Sequence, residues 1–201
     1  MQMRSYHVCR VDQDPEWDKI EKAKIDNIRR GAGDIRAWAQ LCYNDNFLNV
    51  RLSAVEKEPL ARFEGLLDMV HLDSCLEFFF RPGGKEGPYF NFEFNPKGTN
   101  NFGFGMNREN LARMVFEDYR ERFRVNPFVV QDGWGIEFSI PASLFQLFNS
   151  SFQYKAGLLA SGNFYKCGEQ TKLPHALTWN RIEKENANFH CPEFFGQLLF
   201  L

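Results

Sequence analysis

The chain has 201 residues and a formal charge of -2, with 24 Lys and Arg against 26 Asp and Glu; hydrophobic residues make up 44% and charged residues 25%. This near-average composition excludes a disordered chain, and no run approaches the ~18 consecutive apolar residues of a membrane-spanning helix. The slight negative charge supplies no global positive field, so neither a nucleic acid nor a membrane is expected as a partner.

Phe is over-represented, with 22 copies, and aromatic residues favour half-buried pleated surfaces, which tilts the reading toward strands. The five Cys, at 9, 42, 75, 167 and 191, stand singly without CxxC spacing. That pattern fits neither a disulfide framework nor a zinc knuckle and reads as reduced thiols. The opening MQMRSYHVCRVDQDPEW lacks the apolar core of a secretory signal. The expectation is a cytoplasmic protein, or an extracellular one if a leader has been removed.

In chain order, Asp14-Pro15-Glu16 predicts a helix start, with Asp14 as N-cap, Pro15 at the first helical position and Trp17, Ile20 and Lys24 along one side. From Ala37 the period shifts to two, and the Asn44-Asp45-Asn46 break between two alternating runs predicts a hairpin. SCLEFFFR (74–81), YFNFEFN (89–95) and NFGFGM (101–106) follow, with turns at Pro82-Gly83-Gly84 and Pro96-Lys97-Gly98, and predict a three-stranded meander. In the middle run Phe90, Phe92 and Phe94 share one face and Tyr89, Asn91, Glu93 and Asn95 the other.

Residues 107–123 fit either a helix or a solvated excursion. WGIEFSI (134–140) is a further strand ending at Pro141, ASLFQLF (142–148) a short helical turn, and strand patterns return at 154–166, 175–182 and 194–201. Eight to ten strands with two short helical pieces and no βαβ alternation predict an all-β fold, an antiparallel two-sheet β-sandwich. No linker or repeat divides residues 1–201, so one domain is expected.

The sequence contains no GxxxxGK[ST], GxSxG or HExxH, and its glycine alternation at Gly103 and Gly105 precedes no phosphate-binding helix. His175 and His190 lie near Glu193, Cys167 and Cys191, but their spacing matches no standard metal site, and no metal is expected there. Asp73 and Glu77 share a face at the entry to a strand. Paired carboxylates serve glycoside hydrolysis; a carboxylate also accepts two hydrogen bonds from adjacent sugar hydroxyls, and solvated edge charges have the same pattern.

Five blocks in order carry a resemblance: DSCLEFFFRP (73–82), YFNFEFNPKGTNNFGFG (89–105), WGIEFSIPASLF (134–145), GNFYKCGEQTKLPHALTWN (162–180) and NFHCPEFFGQLLF (188–200). Over residues 5–201 the chain resembles family 9 carbohydrate-binding modules, related to the DOMON sandwiches that bind sugars or haem. The resemblance implies non-catalytic binding of plant-type sugars derived from xylan or cellulose, with a glycoside hydrolase as a possible associated protein. It also implies no cofactor beyond a structural calcium ion.

By the same resemblance Glu77, Asn91 and Asn163 match polar ligands of the sugar and Trp179 matches its aromatic platform. His71 stands where the family's modules carry a Trp, which leaves the second ring to Phe189 or Tyr165. Indole against the C–H face of a pyranose, with carboxylate and amide groups for its hydroxyl rim, is the inventory sugar recognition needs. Core packing is the ordinary role of a Trp in an alternating strand, and a melt with a titration separates the two roles. The rival reading, a haem or metal redox sandwich, would draw ligands from Met106, Met114, His175 and His190.

Overall fold

The structure, a computed structural model, describes residues 3–84, 86–185 and 188–201. Its first five strands are β1 (Ser5–Arg10), β2 (Ala23–Ile25), β3 (Asn27–Arg30), β4 (Arg36–Tyr43) and β5 (Phe47–Val55). Next come β6 (Ser74–Pro82), β7 (Tyr89–Phe94), β8 (Asn100–Gly105), β9 (Ala112–Met114) and the one-turn helix α1 (Tyr119–Arg122). The chain continues through β10 (Asn126–Val130), β11 (Gly133–Pro141), α2 (Ala142–Gln146), β12 (Leu159–Gly168), β13 (His175–Thr178) and β14 (Gly196–Phe200). The fold is the expected all-β sandwich with short helices.

One sheet runs β10-β11-β5-β4, with β2 on β4; the other runs β14-β12-β6-β7-β8-β9, with β13 on β12 and β3 on β13. Strand β1 joins them. Its Ser5–Val8 half pairs in parallel with β14, and Cys9 and Arg10 pair in parallel with β4. These are the departures from an otherwise antiparallel plan. The hairpin β4–β5 and the meander β6–β7–β8 form as the alternation predicts.

Fourteen strands form among the described residues rather than eight to ten, because pieces of three or four residues such as β2, β3 and β9 are too short to display a period. The helix predicted after Asp14 is a single 3-10 turn, Trp17–Lys19. The chain then extends so that Ala23 and Ile25 are buried at period two. Residues 107–123 resolve into β9 and α1.

Phe fills the space between the sheets. Phe94 of β7 meets Phe138 of β11 with ring centroids 4.7 Å apart, and Phe92 meets Phe102 and Phe138 at 5.4 and 5.8 Å. Such tilted and edge-on pairs add to the area burial that drives the sheets together.

At one end of this core a charged pin links the sheets. The Lys166 ammonium on β12, fully buried, lies 3.1 Å from Oε2 of Glu56, which follows β5. Trp134 Nε1 donates to the same oxygen at 2.9 Å and Ser74 Oγ donates to Oε1 at 2.7 Å. Burial pushes the Glu56 carboxyl up, but Lys166 and these donors outweigh it and hold the group below its usual range.

Candidate functional site

The alternation that sends Phe78, Phe92 and Phe102 into the core sends their neighbours to the opposite face of the same sheet. Strand register then builds a straight row across four strands: Tyr165 of β12 opposes Glu77 of β6, Glu77 opposes Glu93 of β7, and Glu93 opposes Asn101 of β8. A parallel row carries Asn163, Phe79, Asn91 and Gly103, with Arg113 of β9 opposite Gly103. This face is buried too. The segment around residues 188–195, the stretch around Leu111 and the turn Val70–Leu72 cross over it and leave a cleft of about 570 Å³.

Glu77, Glu93 and Asn101 line the cleft from the sheet; His71, Phe189, His190 and Leu111 line it from the crossing segments. Phe189 stacks on Tyr165 with centroids 4.2 Å apart and planes at 10°, and its carbonyl accepts from the Tyr165 hydroxyl at 3.0 Å. Next to it His190 Nδ1 lies 2.7 Å from the Tyr89 hydroxyl. Gly103 permits the stretch to lie so close: a Cβ there would stand 2.3 Å from Asn91 Oδ1 and 2.9 Å from a Leu111 methyl.

The two carboxyls are held differently. Glu77 Oε1 accepts from the Cys167 thiol at 3.1 Å, and burial, with Cys167 and Glu93 adding, pushes its pKa well above the ordinary range. Glu93 receives Asn91 Nδ2 on Oε1 at 2.7 Å and Asn101 Nδ2 on Oε2 at 3.1 Å. Burial still pushes Glu93 up to about 7, against the pull of Arg113 and the two amides. Both groups can therefore carry a proton near neutrality and donate as well as accept.

A raised carboxyl pKa stabilises the fold by binding a proton more tightly than the unfolded chain does. The Glu93 contribution is complete below its ordinary value of 4.5 and is lost as pH rises through about 7. His175 and His190, both lowered to about 4 chiefly by burial, act in the opposite sense and lose stability as pH falls from 6.5. The difference between two proteins isolates the carboxyl: Glu93→Gln is expected to gain melting temperature relative to wild type as pH is raised from about 5 to about 8. A pH-independent difference between the two melting curves would contradict the shift.

Of the residues expected to meet a ligand, Glu77, His71 and Phe189 come together in the cleft, and Asn91 reaches it through Glu93. Asn163 and Trp179 do not. Asn163 is fully buried; its Oδ1 accepts from Phe164 N and Asn180 N, and its Nδ2 donates to Asn180 O, which fixes the loop after β13. Trp179 belongs to the core between the sheets, with its ring 5.2 Å from that of Phe164 and against Gly196, where a Cβ would stand 2.4 Å from Cζ3. Of the two candidates for a second ring, Phe189 lines the cleft and Tyr165 lies beneath it.

Asp73, the other half of the carboxylate pair, is fully occupied by Arg62 N, Phe63 N, Asn95 Nδ2 and the Arg62 guanidinium. His175 has both ring nitrogens engaged, by the Lys166 ammonium and by Leu173 O. The sequence reading missed Glu93 and Asn101 as partners of Glu77, and it missed the guanidinium rim of Arg29, Arg30, Arg108 and Arg113. Part of the signal for Glu93 was available: the alternation of β7 puts it on the same face as Asn91, and the pairing of β6 with β7 then sets it opposite Glu77.

Residues 16–200 match the pattern of carbohydrate-binding family 9. The chain belongs to that family. Among solved structures it is similar to a Bacteroides uniformis protein described as a candidate carbohydrate-binding protein, with 25% identity over the whole of both chains and a TM-score of 0.86. Two structures of a family 9 module from Caldicellulosiruptor kristjanssonii share the fold. The complex with cellotriose has a TM-score of 0.68 at 14% identity, with 98% of this chain and 93% of that one covered. The glucose complex has a TM-score of 0.65 at 15% identity, with 98% and 96% covered. No curated protein matches the chain.

Proposed function

We propose that this family 9 chain is a non-catalytic carbohydrate-binding module whose ligand, a plant-type oligosaccharide, lies in the cleft above Glu77 and Glu93. The observation that carries the reading is the cross-strand row Tyr165–Glu77–Glu93–Asn101 at the floor of a cleft walled by Phe189. Two carboxyls able to donate or accept, an amide and an exposed ring edge are complementary to a pyranose, which offers adjacent hydroxyls and an apolar C–H face. Support also comes from the related modules whose structures hold cellotriose and glucose.

Calorimetric titration with cello- and xylo-oligosaccharides tests the proposal. Binding is expected, and Phe189→Ala is expected to weaken it by roughly 1–3 kcal/mol, about 5- to 150-fold, through loss of apolar contact with the sugar face. The melting temperature of that variant should fall by only a few degrees, since Phe189 is half-buried and its stack on Tyr165 is worth about 1 kcal/mol. Equal affinity in the two proteins would place the sugar elsewhere.

A further inference from the structure

The rim of the cleft is charged in a way the chain as a whole is not. A protein of net charge -2 gathers Arg29, Arg30, Arg108 and Arg113 around one opening, facing one exposed carboxylate, Glu169. Arg29 donates to the carbonyls of Ile182 and Lys184 and so serves the loop. Arg30, Arg108 and Arg113 come from three different places, β3, the loop after β8 and β9, and all three side chains are exposed. Among the described residues none of these three forms an ion pair, although each lies on a cleft with carboxyls at its floor. The buried Glu93 takes its hydrogen bonds from Asn91 and Asn101, and Arg108 and Arg113 act on it only through their charge.

A neutral saccharide can accept a hydrogen bond from a guanidinium but gains nothing from the summed positive charge of three of them. Like charges set around a concave, low-dielectric wall repel one another and focus a positive potential into the opening. A guanidinium pairs with a carboxylate or a sulfate through two parallel charge-assisted N–H bonds, which are stronger than those it makes to neutral hydroxyls. We propose that the saccharide bound by this cleft is anionic, bearing a carboxylate or a sulfate, and that Arg30, Arg108 and Arg113 select it. The proposal rests on the cleft being the carbohydrate site. It assigns the uncharged floor contacts to the sugar ring and the rim to the acidic substituent.

The test compares matched ligands on the full chain by calorimetry at low and high salt: xylotriose against a glucuronic acid-substituted xylotriose, with oligogalacturonate and a chondroitin sulfate disaccharide as further anionic probes. At least one anionic ligand is expected to bind about tenfold or more tighter than xylotriose, with a preference that shrinks as salt is raised. The Arg108→Ala, Arg113→Ala double variant is expected to lower the ratio of anionic to neutral affinity by about tenfold or more. Neutral and anionic ligands binding equally, or a ratio unchanged in the double variant, would overturn the inference while leaving a carbohydrate module in place. Binding of no saccharide of either class would overturn the carbohydrate reading and this inference with it.

Discussion

Glu56→Ala is expected to destabilise the protein by about 3–5 kcal/mol, because it leaves the Lys166 ammonium buried between the sheets without its counter-charge. For a chain of this size that is a fall in melting temperature of roughly 6–20 °C. The loss is large because Lys166 has no route to water: its side chain is fully buried, and its other partners, Cys167 O and His175 Nε2, are neutral acceptors. The same change removes the acceptor for Trp134 Nε1 and Ser74 Oγ. Replacing both charges, as in Glu56→Leu with Lys166→Met, should recover part of the loss, since the desolvation cost of the pair disappears with the pair. Full recovery is not expected while the indole N–H and the hydroxyl stay unpaired. Denaturant melts of the two variants check this, and a Glu56→Ala protein within about 1 kcal/mol of wild type would contradict an inter-sheet pin.

The second large effect is Trp179→Ala, expected to cost about 3–5 kcal/mol of stability and to leave saccharide affinity unchanged at temperatures where the variant is folded. Trp179 is 3% exposed, and its ring fills the space between Phe164 and the backbone of Gly196, which has no side chain to take up the vacated volume. The cavity would open on the face of β12 that meets the other sheet, whereas the cleft lies on the opposite face. A thermal melt and a titration decide the matter together. Lost affinity with an unchanged melting temperature would return Trp179 to the ligand.

That residue also marks where the sequence stops being legible. Alternation over six or more residues was enough for β4 to β8 and β11, because a half-buried strand repeats its face every second residue. The same alternation put Glu77, Asn91 and Glu93 together on the face that became the cleft floor. For Trp179 two rules competed, the burial of an indole in a strand and its match to an aromatic platform, and the sheet's packing decided for burial. Asn163 sits on the cleft side of the sheet but under the loop that it anchors through Asn180. Which segment covers which part of a face depends on contacts between residues far apart in the chain, and no local pattern contains them. The arginine rim was illegible for the same reason: Arg30, Arg108 and Arg113 are single surface charges until β13–β3 and β8–β9 pairing brings them to one opening.

The parallel seam of β1 carries a kinetic consequence. Ser5 pairs with Gln197 and Val8 with Phe200, while the next two residues of the same strand pair with β4. The Ser5–Val8 half of β1 therefore waits for β14, and closing that long loop costs entropy that only the β1–β14 contacts repay. During synthesis the β4–β5 hairpin and the β6–β7–β8 meander can form as the chain emerges, and Phe92 and Phe94 gain their cover once β11 supplies Phe138, but the β1 seam between the sheets stays open until residues near 200 have been made. The interval before that seam closes, when β1 and β12 still lack β14 between them, is the stage at which this chain is most exposed to aggregation.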